Sequence, residues 1–153
     1  MNNKRNIGFW VLIITGILLA ILLVAGQTLA VFNYDLTVSL GLQESAEEVG
    51  KVGIAYAKGF GFGDTLIYIP LLLIGIIGLF RNKKWGFVSM FGSLAITAYW
   101  PMVCLYAVFV ERTAIQLTSD KYISYSILLP LITIYGLWGM WYLYKNIKSD
   151  VEI

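Results

Sequence analysis

The chain of 153 residues has no histidine, a single cysteine and three prolines, and only 13% of it is charged. Without histidine there is no imidazole general base, no His-ligated metal and no axial-His haem. One cysteine excludes an intrachain disulfide and a Cys-pair redox centre. A net charge of +2 is too small for a nucleic-acid surface. What the chain has instead is apolar surface. Hydrophobic residues make up 59% of it, against about 45–50% in an average soluble domain. The composition is that of a small integral membrane protein.

Four stretches are long and apolar enough to span a bilayer, which takes about 20 residues. Ile7–Val31 carries no charge, and its polar residues are Thr15, Gln27 and Thr28. It is too long for a signal-peptide core and ends without an A-x-A site, so it reads as a retained helix. The second span covers 64–80, with a glycine-rich approach from Gly59. Trp85–Val110 and Tyr122–Tyr144 are uncharged throughout. An even number of spans puts both termini on one side.

Positive charge predicts which side. Lys4, Arg5, Arg81, Lys83, Lys84, Lys145 and Lys148 share one face. Lys51, Lys58, Arg112 and Lys121 share the other, mixed with Asp35, Glu44, Glu47, Glu48, Asp64, Glu111 and Asp120. Seven cations against four indicate cytoplasmic termini. Trp10, Trp85, Trp141, Tyr142 and Tyr144 fall at the inner border as interfacial anchors. The lack of loop cysteines leans toward a bacterial or archaeal plasma membrane.

Residues 32–63 form an outer cap. Phe32–Leu40 alternates apolar and polar residues with period two, which predicts a half-buried strand. Its expected partner is Thr113–Thr118 in the third loop; the alternative is that Phe32–Leu40 merely frays from the first span. Ser45-Ala46-Glu47-Glu48 matches a capping box and opens an amphipathic helix. Leu42, Val49 and Tyr56 lie on its apolar stripe and are the candidate partner-binding face. Gly59, Gly61 and Gly63 are expected to break this helix. Asp64 then reads as the N-cap of the second span, which Pro70 should kink.

This order (strand, outer helix, second span, tight inner turn, third span, outer strand, fourth span) is similar to an abridged claudin-like tetraspan. The resemblance is one of organisation. The claudin signature of a Trp, a Gly-Leu-Trp and two cysteines in the first outer loop is absent, so no functional residue carries over.

The third span holds the small-residue row Ser89, Ser93 and Thr97, a packing seam, followed by a break at Pro101. Kinked second and third spans would splay at the outer end. The candidate ligand pocket there takes Asp64, Tyr68, Tyr99, Trp100, Tyr106, Glu111 and Arg112. The bland alternative is that Asp64 only caps, the charges are interfacial and the rings pack. No nucleophile–base pair is present, Cys104 reads as a small hydrophobe, and no cofactor or metal is expected.

The expected fold is an all-α integral membrane protein, a four-helix bundle with a small outer cap. The expected function is non-enzymatic: binding a lipid, an apolar ligand or a protein partner through the cap, or assembly as a homo-oligomer. A small transporter or channel subunit using Asp64 is the alternative, and a membrane enzyme acting on lipid is third. Membrane lipids, a second copy or a membrane protein are the expected partners, and nucleic acid is not.

Overall fold

In a computed structural model, residues 6–147 are described; Lys4, Arg5 and Lys148 lie outside the described residues. The long helices are α1 (Ile7–Phe32), followed by the short α2 (Tyr34–Ser39), then α3 (Ala46–Phe80), α4 (Lys84–Val110) and α5 (Ser119–Ile147). The long ones are four, all apolar enough to cross a membrane.

The bundle core is built from one face of each helix. Leu12, Ile13 and Leu23 of α1 meet Tyr68, Leu72 and Ile76 of α3, Met90 and Leu94 of α4, and Leu143 of α5. Small residues let backbones approach. A Cβ on Gly75 would lie 2.8 Å from the Met90 backbone, and one on Gly136 would lie 2.7 Å from Ala98 N. In a bilayer this close contact replaces the hydrophobic drive that lipid removes. Ser93 and Thr97 are buried in this region of α4, as expected of a seam.

At the α3–α4 turn, Asn82 takes φ 51° and the backbone bonds back to Gly78 and Leu79. Asparagine tolerates this left-handed helix end. At the same end of the bundle Asn6 fastens α1 to α5. Its side-chain oxygen accepts from Phe9 N–H at 2.9 Å and from the Tyr142 hydroxyl at 2.7 Å.

No strand forms among the described residues, so the expected strand pair is overturned. Phe32 closes α1 and Tyr34–Ser39 makes α2. Local capping is the reason. Asn33 leaves helical geometry and its side chain accepts from Leu36 N–H at 3.1 Å. Gly41 takes φ 69°, and the N–H groups of Gly41 and Leu42 bond to Val38 O and Thr37 O at 2.9 Å. These are the start and stop signals of a helix. The helical turn also buries Tyr34 and Thr37 together, which alternation would not do. Thr113–Thr118 is turn and irregular chain, so it offers no ladder.

The Ser45 capping box forms as expected, with Glu48 N–H donating to Ser45 Oγ and Ser45 N–H to Glu48 Oε2. The helix it starts does not stop at Gly59. Gly59–Gly63 is helical, and the break lies earlier, at Gly50 (φ 67°, ψ 174°). Asp64 is therefore not an N-cap. It sits inside α3, in a π turn spanning Asp64–Tyr68. Glycine weakens a helix by about 1 kcal/mol. In apolar surroundings that is less than the cost of opening the backbone hydrogen bonds.

Two such π turns occur among the described residues, Val24–Thr28 in α1 and Asp64–Tyr68 in α3. In each, an N–H reaches five residues back: Leu29 to Val24 O and Ile69 to Asp64 O. The second precedes Pro70, whose ring crowds the carbonyl one turn earlier, and a widened turn relieves that crowding. The half of α3 after Pro70 packs on α4, whereas the half before it packs on the last third of α1.

Candidate functional site

The two π turns face each other. Thr65 donates to Gly61 O at 2.7 Å, and its oxygen meets the Thr28 hydroxyl at 2.9 Å. Thr65 has spent its proton on Gly61, so Thr28 is the donor to it. Gly61 makes room for this contact, since a Cβ there would lie 2.6 Å from Gln27 O. Two residues before Thr28, Gly26 O accepts from the Gln43 side-chain amide of the α2–α3 connection at 3.0 Å. Gly26 is inside the first π turn, where widening disturbs the regular bonding and leaves carbonyls in need of donors.

The seven expected pocket residues do not form one pocket. Tyr68 and Trp100 come together. The Tyr68 hydroxyl lies 2.5 Å from Thr97 Oγ1, which itself donates to Ser93 O at 2.8 Å. Tyr68 is thus the donor in a short relay across α3 and α4. The Trp100 indole sits beside the Tyr68 phenol, but its buried Nε1 finds no acceptor at bonding geometry. Asp64 is one turn above Tyr68 and half-buried.

The other four point elsewhere. Tyr99 and Tyr106 are 70% and 68% exposed on the outer face of α4. Their spacing of seven makes them a stripe on the side that lipid would cover. Glu111 and Arg112 are exposed at the helix end, and the Arg112 guanidinium stacks on Phe109 and Tyr122 at 5.1 and 5.3 Å. The residues Leu42, Val49 and Tyr56 also separate. Leu42 precedes α3, Val49 is half-buried just before the Gly50 break, and Tyr56 is exposed.

A polar cluster that the sequence reading missed ties this end of the bundle together. Lys121, opening α5, donates to both Glu48 oxygens at 2.7 and 2.6 Å. Tyr125 donates to Glu44 Oε1, and the Tyr34 hydroxyl donates to Glu44 O at 2.9 Å. Gln116 N–H reaches Glu48 O at 2.9 Å. Burial pushes the Glu44 carboxyl above its ordinary range, with Lys121 opposing and Glu48 reinforcing the shift. Burial, with the two carboxylates, also pushes the Tyr34 phenol up to about 12. The cluster joins parts of the chain far apart in sequence, which no local motif can signal.

The open surface at this end lies on α3 itself. A trough of about 590 Å³ is lined by Ala55, Tyr56, Gly59, Phe60, Gly63 and Asp64. Ala55, Gly59 and Gly63 form one row at helical spacing, and Tyr56, Phe60 and Asp64 form the next. Nothing lies within 4 Å of a Cβ built on Gly59 or Gly63. Among the described residues, no three His, Cys, Asp or Glu side chains gather as metal ligands. No protein-family model matches the chain, and no curated protein and no solved structure is similar to it.

Proposed function

We propose that the chain is a non-enzymatic membrane protein whose outer end holds a lipid, another apolar ligand or a protein partner. Its termini are then cytoplasmic, as the seven-to-four cation asymmetry supports, in a bacterial or archaeal plasma membrane, as the lack of loop cysteines supports. The observation that carries the reading is the trough on α3. It is shallow, open and apolar, its six lining residues all belong to α3, and Tyr56 and Phe60 flank it. Its volume falls in the range of small-molecule sites. The Glu48–Lys121 and Glu44–Tyr125 contacts hold the α2–α3 connection beside α5, leaving that trough free.

Native mass spectrometry of the purified chain in mild detergent tests this. A retained apolar ligand or partner that Gly63→Leu displaces is the expected result. Retention unchanged by Gly63→Leu, or a chain with nothing bound, overturns the reading.

A second reading, a small transporter, draws on the paired π turns. Interrupted helices that meet beside an intramembrane carboxylate are a feature of carrier sites. Here Asp64 begins one of the two turns. This reading requires that Asp64→Asn abolish ion-coupled flux in proteoliposomes while the chain still folds.

A further inference from the structure

Asp64 is the one acid in the trough, and among the described residues it has neither a hydrogen-bond donor nor a cation. The cations at this end are engaged elsewhere or distant. Lys58 sits over the Tyr34 ring at 5.7 Å, Lys121 is on Glu48, and Arg112 is on Phe109 and Tyr122. Lys51 is thirteen residues earlier on α3, about 20 Å along the helix axis. Asp64 itself lies about 24 Å along the axis from Phe80. In a bilayer whose hydrocarbon begins at Phe80, that is just inside the opposite boundary of a slab about 30 Å thick. A carboxylate held there without a partner is costly.

The surroundings select the kind of partner. An inorganic divalent cation needs six or more oxygen ligands, and the trough offers one carboxylate among glycines and rings. A second copy packed along Gly59 and Gly63 would press two Asp64 carboxylates together, which like charge opposes. An organic ammonium meets neither objection. It pairs with Asp64, faces the π-cloud of Phe60, and lays an apolar body over Gly59 and Gly63, where the absent side chains leave space.

We propose that the α3 trough is a binding site for a lipophilic organic cation, with the positive centre on Asp64 and the apolar body against Tyr56, Gly59, Phe60 and Gly63. The inference rests on the reading of α3 as the binding face and names its ligand class. The test uses the full chain in phosphatidylcholine nanodiscs with tetraphenylphosphonium as probe, and neutral triphenylphosphine oxide as comparison. Saturable binding at one probe per chain is expected, with the neutral compound weaker by about tenfold. Asp64→Asn should remove that preference, Asp64→Glu should restore it, and Glu111→Gln should leave it unchanged.

Equal binding of the charged and neutral probes to the unmodified chain overturns the proposal without reliance on any variant. So does unchanged binding by a folded Asp64→Asn. If the cation fails but native mass spectrometry shows a neutral lipid displaced by Gly63→Leu, the binding face stands and the cation falls. A dimer dissociated by Gly63→Leu assigns the trough to a second copy and overturns the cation site. Loss of every ligand and partner removes both readings.

Discussion

The hydroxyls of Thr28 and Thr65 meet at 2.9 Å where two π turns face each other across α1 and α3. The contact is directional. Thr65 donates to Gly61 O, and Thr28 donates to Thr65. The bond joins the two irregular turns.

Replacing both threonines by valine in a double-mutant cycle should show a coupling of about 0.6 kcal/mol, the usual size for hydrogen bonds between membrane helices. Thr65→Val should cost more than Thr28→Val, because it also strips one of two donors from Gly61 O, leaving the Asp64 N–H. Reversible unfolding in mixed micelles measures both. A coupling of zero would mean that the turns are held by packing alone.

The glycines of α3 should divide by what they face. Gly61→Ala forces a Cβ against Gln27 O and should cost about 1–3 kcal/mol. Gly59→Ala meets open space and should stabilise the chain by about 0.4–1 kcal/mol, through a less flexible unfolded state. Thermal unfolding of the two variants side by side decides the matter; equal effects would contradict the packing described.

Glu48 serves twice, as the reciprocal member of the Ser45 box and as the ion partner of Lys121. Glu48→Gln keeps a capping group and loses the ion pair, as does Lys121→Met. Each should cost about 1.5–3 kcal/mol or less, since Lys121 is about a third exposed. Glu48→Ala should add the loss of the cap, about 0.5–2 kcal/mol. Denaturant midpoints of the three variants give the ordering directly.

Glu44 makes the α2–α3 connection pH-dependent. Burial raises its folded-state pKa above the unfolded value. Its contribution is therefore complete below the unfolded pKa and is lost as pH rises through the folded one. Amide exchange over residues 33–45, corrected for intrinsic rates, should slow as pH falls from neutrality toward the carboxylate range. Glu44→Gln should flatten that trend, and a trend that survives the substitution would assign it to another group.

The legible parts of the fold were those written locally. The spans are runs of apolar residues, and the Ser45–Glu48 box is a four-residue pattern whose two hydrogen bonds form as drawn. Phe32–Leu40 misled because five alternating positions fit a strand while Asn33 and Gly41 supply the caps of a helix. Gly59–Gly63 misled because glycine's preference for irregular backbone was weighed without the cost of opening a helix in apolar surroundings. At the candidate site, Tyr68 and Trp100 lie side by side and Asp64 is one turn away. Tyr99 and Tyr106 face away from them, since facing direction depends on which side of α4 its neighbours occupy. Glu44, Lys121 and Tyr125 carried no local mark.

The Glu48–Lys121 contact joins residues 73 positions apart. During synthesis the Glu48 segment emerges early, and its partner arrives only as the last long helix is made. That ion pair thus forms late in translation, whereas the Gln43–Gly26 and Tyr34–Glu44 bonds can hold the connection before α3 from the start. A chain cut short after Val110 would leave Glu48 without that cation.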